Sequence, residues 1–150
     1  MFRGVIGFIG RAMLCAIFIS SALMNKIPRF DAVTQQMADA GVPEPKLMLI
    51  GAIVFMLLGS LLVLTGIAAR IGATLLLIFL VAATFFFHDF WTNPDTPEAV
   101  VQAANITSHD VRMNEMIHFM KNLAIGGALV MIIGRGVRWR GGEDDDGYLD

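Results

Sequence analysis

Four apolar runs dominate the chain, and polar stretches of very unequal length separate them. The runs cover roughly residues 4–24, 47–68, 70–90 and 115–134, and none contains proline. Each is close to the ~20 residues that cross ~30 Å of hydrocarbon as a helix. The pattern predicts an all-α fold, a polytopic membrane four-helix bundle over residues 1–140. The first connection holds Pro28, Pro43 and Pro45. Between them, Phe30 to Ala40 reads as a short amphipathic helix in the first outer loop, stopped by Gly41. The second connection is barely a turn at Ala69 and Arg70, so runs two and three form an antiparallel hairpin. The third, residues 91–114, carries Pro94 and Pro97, and Asp110 to Glu115 can begin the fourth helix. Residues 141–150 are glycine and acid with little apolar content, and read as an acidic disordered tail.

Composition agrees with a membrane domain. Hydrophobic residues make up 56% of the chain and charged residues 16%, against roughly 25% charged in soluble domains. The acids concentrate at Glu143 to Asp146, and no basic patch interleaves with aromatics, so no nucleic acid is expected as a partner. The single cysteine, Cys15, rules out an internal disulfide and a Cys-x-x-Cys pair; it reads as a small buried hydrophobe. Arg11 interrupts the first run and no cleavage site follows it, so that run reads as a retained helix rather than a signal peptide.

Arginine placement suggests an orientation. Arg3, Arg70, Arg135, Arg138 and Arg140 share one side of the membrane if both termini are cytoplasmic, which the positive-inside rule favours. Phe90 and Trp91 then mark the outer interface and Trp139 the inner one. Glycines 4, 7, 10, 51, 59, 126, 127 and 134 read as helix-packing positions, because close backbone approach supplies the association that lipid does not drive.

The chemistry lies in the polar residues of the runs. Lys121 and Asn122 interrupt the fourth run, and a lysine there marks a membrane edge or a functional site. Arg11 lies ~10 Å from the inner edge and Lys121 ~9 Å from the outer one, at ~1.5 Å per residue. Both side chains can also snorkel to headgroups. Topology puts His88, Asp89, Glu115 and His118 in one outer layer, and Glu115, His118, Lys121 and Asn122 share a helical stripe. Such a layer suits proton handling or a weak metal site, or is ordinary interfacial polarity; no metal is assigned. His109 lies in the loop and is left out. No glycine-rich nucleotide loop and no Gly-x-Ser-x-Gly occurs. Any redox chemistry then draws its electrons from a bound quinone or a partner.

Taken in order along the chain, these residues resemble the DoxX family of small bacterial membrane proteins. The resemblance is carried by Arg11, by Asn25-Lys26, by Gly41-Val42-Pro43, by Gly66 to Arg70, by His88, and most specifically by Phe119 to Leu123 with Gly126-Gly127. One position departs: the family often has Glu fourteen residues before the hairpin arginine, where this chain has Met56. The resemblance implies a four-helix membrane protein similar to a subunit of thiosulfate:quinone oxidoreductase and linked to oxidative-stress handling; the wider superfamily is similar to eukaryotic cargo receptors.

The resulting expectation is a membrane subunit or anchor of a redox complex, quinone-linked or serving oxidative stress, and not catalytic alone. The alternative is a non-catalytic scaffold or lipid/cargo-binding protein. A small transporter is less attractive, since no inverted repeat is evident. Candidate ligand-binding residues are Lys121, Asn122, His88, His118 and Arg11, supported by Asp89, Glu115, Lys26 and Arg70. No cofactor is intrinsic, and a quinone is the candidate. Membrane lipid, a soluble redox partner and a second copy of the chain are the expected partners. The expected location is the bacterial cytoplasmic (inner) membrane. With no acid in the core, Lys121 is expected to meet an exogenous anionic or carbonyl-bearing group, so Lys121→Met is expected to abolish ligand retention.

Overall fold

In the computed structural model, which describes residues 2–87 and 108–135, every regular element is helical. Helix α1 covers Phe2–Ser20 and runs straight into a π-helical turn, π1, over Ser21–Lys26. The remaining helices are α2 (Phe30–Asp39), α3 (Pro45–Thr65), α4 (Ala69–Phe87) and α5 (Ser108–Arg135). Four stretches are long and apolar enough to cross a membrane: Val5–Lys26, Pro45–Thr65, Ala69–Phe87 and Met113–Gly134. The first extends beyond the run read from sequence because π1 carries the helix on to Lys26. The short helix expected in the first connection is α2. Positions 88–107 and the acidic tail lie outside the described residues.

Helix ends follow from local chemistry. Gly41, at φ +74°, stops α2. Pro45 opens α3 at a position whose missing N–H costs nothing. Gly66, at φ +77°, closes α3 by donating its N–H to the Leu62 carbonyl at 3.1 Å, which a glycine does without Cβ strain.

The α3–α4 hairpin is the tightest contact of the bundle. A Cβ built on Gly59 would lie 2.9 Å from the Gly72 carbonyl oxygen, and one on Gly72 would lie 2.6 Å from the Gly59 oxygen. Dispersion between closely approaching backbones is the main attraction available between helices in lipid. Most of the other glycines read from sequence as packing devices do not serve that way within one chain. Gly7, Gly10, Gly51, Gly127 and Gly134 have no atom within 4 Å of an added Cβ, while Gly126 makes ordinary contact with Leu77 and Leu80.

Helix α1 packs on α3, α3 on α4, and α4 on α5. Their shared core contains Cys15, Phe18, Met56, Val63, Leu76 and Leu129. Met56 is fully buried there, so the position where the family often has an acid is apolar packing in this chain. A second cluster joins Met37 of α2, Val42 and Leu49, with Phe86 and Phe87 against it. Helix α2 thereby covers the end of the bundle where π1 and α4 terminate and α3 begins.

Candidate ligand-binding site

Under α2 lies a cavity of 490 Å³, within the size range of small-molecule sites. Its wall is mostly apolar: Val33 and Met37 from α2, Leu49 and Phe55 from α3, Phe79 and Phe86 from α4. The polar groups on it among the described residues are few, namely Asn25, Lys26, Gln36 and Glu115. An apolar chamber with a few converging polar groups is the usual form of a site for an amphipathic molecule.

Lys26 supplies the cation. Its Nζ donates to Ser21 Oγ at 3.0 Å and stands 5.5 Å from the centroid of the Phe79 ring. The ring's π face attracts the ammonium and leaves its other N–H groups available. Phe79 is itself fixed edge-on against the buried Phe18, with centroids 6.2 Å apart. The lysine is carried by π1, whose register is set by Ile27 N–H donating to the Ala22 carbonyl, five residues back, at 2.9 Å. π1 ends the first span, and the chain turns at residues 27–29 before α2 begins.

The stripe expected on the fourth span divides in three. Glu115 faces the cavity. Asn122 turns onto α4, where its Nδ2 donates to Thr84 Oγ1 at 2.9 Å; that hydroxyl in turn donates to the Leu80 carbonyl at 2.8 Å. Lys121 is exposed, with Nζ 3.0 Å from His118 Nδ1. With the ammonium donating, that nitrogen is the acceptor and the imidazole proton sits on Nε2. Lys121, His118 and Asn122 are not among the residues that line the cavity. His88 and Asp89 lie outside the described residues. Among the described residues no group of three or more His, Cys, Asp and Glu is arranged to hold a metal.

Arg11 and Arg70 belong to the other end of the bundle. Arg11 Nε donates to the Gly7 carbonyl at 3.2 Å and one terminal nitrogen donates to the Val63 carbonyl at 3.3 Å. Val63 is in the last turn of α3, where carbonyls lack partners within the helix. Arg11 thus caps α3 and places a positive charge at its negative end. Arg70 is exposed in the first turn of α4. Fifteen residues separate Arg11 from Lys26, about 20 Å along a helix, so the two cations serve different ends.

Several participants escape a sequence reading. Ser21, Gln36, Phe79 and Thr84 carry no motif. The one available signal is Ser21, placed five residues before the lysine. An α-helix brings together residues three and four apart, so a spacing of five carries no helical signal.

The family model described as DoxX matches residues 6–89, more than half of the chain, and the chain belongs to that family. No curated protein and no solved structure matches it.

Proposed function

Starting from membership of the DoxX family, we propose that this chain is a membrane subunit of a quinone-linked redox complex and holds the quinone under α2. The observation that carries the reading is the largely apolar 490 Å³ cavity with the Lys26 ammonium on its wall. A quinone matches both parts. Its carbonyl accepts from Lys26, its ring stacks among Phe55, Phe79 and Phe86, and its isoprenoid tail stays in hydrocarbon. Asn25 and Gln36 add neutral hydrogen-bonding groups, and Glu115 places a carboxyl at the same chamber. A carboxyl beside a quinone oxygen is chemically suited to proton exchange when the ring is reduced. The chain's own groups bind and orient; the electrons come from a soluble partner.

The arginine distribution supports an orientation in the bacterial inner membrane with both termini cytoplasmic. Helix α2 and the cavity then face the outer side, and a partner reaches the quinone there.

The test is lipid extraction of the protein purified in its native membrane, with quantification of quinone per chain. The wild type is expected to carry quinone and Lys26→Met to lose most of it. A wild type holding only phospholipid would favour the scaffold or lipid-binding reading and end the quinone assignment.

A further inference from the structure

The contact between Lys26 and Ser21 spans five residues, and that spacing matters. In an α-helix, residues five apart point about 140° away from each other, at 3.6 residues per turn. In a π-turn the hydrogen bond runs from residue i to i+5, which stacks those two positions. The backbone bond from Ile27 to Ala22 shows this register directly. The Ser21–Lys26 bond is thus compatible with π1 and not with a continuous α-helix. The same register places the ammonium beside Phe79 of α4, on the wall of the cavity.

The π-turn ends the first span, a place where such turns occur, and it has a cost. It departs from the better hydrogen-bond geometry of the α-helix within an apolar span. The serines that begin it do not force it, since Ser20 Oγ donates back to Ile17 within an ordinary α-helical turn. Around it, Ala22 is fully buried, whereas Leu23 and Met24 are 51% and 80% exposed. The charged side chain of π1, Lys26, reaches across to Phe79 of α4.

We propose that Ser21 and the π-turn are the positioning device of the quinone site: they hold the Lys26 ammonium at the Phe79 face, and return to an α-helical register withdraws it. Ser21 is a positioning residue that acts through Lys26. The inference rests on the quinone reading for its functional meaning, but its geometry is testable without ligand. A quinone carbonyl that takes one ammonium proton leaves the Ser21 bond intact, because the ammonium has three donors. Bound ligand and the π register therefore stabilise each other.

The experiment uses the full chain grown on ε-¹³C-lysine, which leaves all three N–H donors of each ammonium in place. The chain has only three lysines, Lys26, Lys46 and Lys121. In the wild type the Lys26 ε-CH2 signal is expected upfield, shifted by the Phe79 ring. Ser21→Ala is expected to abolish the upfield shift and to lower co-purified quinone roughly tenfold or more, as for loss of a hydrogen bond to a charged group. Ser21→Thr, which keeps the hydroxyl, is expected to restore both readouts. An unchanged Lys26 signal with full quinone content in Ser21→Ala would overturn the inference. A wild type without quinone, but with a Lys26 signal that moves in Ser21→Ala, would overturn the ligand reading alone.

Discussion

Asn122 of α5 and Thr84 of α4 form a hydrogen bond of 2.9 Å between two apolar helices. It is a polar tie between the last span and the rest of the bundle. Helix α5 gains from such a tie, because Ile117, Met120, Leu123, Val130 and Met131 are all more than half exposed. Interhelical hydrogen bonds of this kind contribute about 0.6–2 kcal/mol in membranes. Asn122→Leu and Thr84→Val are each expected to lower stability by that amount. The double variant should cost little more than either single one, measured as a double-mutant cycle by reversible unfolding in mixed micelles.

Gly72→Ala tests the α3–α4 contact. The new methyl would meet the Gly59 carbonyl oxygen at 2.6 Å and Leu62 Cβ at 2.8 Å. Two backbones must separate to admit it, an overpacking cost of about 1–3 kcal/mol. Gly127→Ala, where an added methyl meets nothing within 4 Å, should be neutral in the same assay. Equal tolerance at both positions would show that the hairpin is looser than described.

Arg11 is expected to matter for stability and not for ligand. Arg11→Met removes the cap on Val63 and should cost about 1.5–3 kcal/mol, the range for a hydrogen bond to a charged group. Arg11→Lys should recover only part, since a single ammonium does not reproduce the fork that reaches both Gly7 and Val63. Quinone content per folded chain should stay unchanged in both variants. A selective loss of quinone would tie Arg11 to the site.

Ser60 offers a change in the opposite direction. Its Oγ is buried without a hydrogen-bond partner, while its carbonyl accepts from the Cys15 thiol at 3.6 Å. Ser60→Ala removes an unsatisfied hydroxyl and leaves that carbonyl in place. Stability is expected to rise by about 1 kcal/mol, read as a higher midpoint of thermal unfolding in detergent.

Architecture is more legible in the sequence than the site is. Apolar runs of membrane-spanning length, prolines confined to connections and Gly41 after an amphipathic stretch specify the helices, because burial and backbone satisfaction in lipid leave few alternatives. The site depends on what sequence spacing does not carry. Glu115, His118, Lys121 and Asn122 look like one stripe at steps of three and four, yet a helix face is broad. Asn122 turns to α4, Lys121 outward, and Glu115 toward the cavity. Lys26 looks like a residue at a span's end until π1 adds a residue to the turn and brings it to the wall of the cavity.

The central claim is that the ligand's polar head meets Lys26. It is tested most directly by following the ε-¹³C signals of Lys26, Lys46 and Lys121, in protein grown on ε-¹³C-lysine, while a short-chain quinone is titrated into the purified wild-type protein. The account predicts a saturable shift of the Lys26 signal, with Lys46 and Lys121 unmoved, and no response at that position in Lys26→Met. A saturable shift at Lys121 with Lys26 silent would contradict it and return the site to the exposed face of α5.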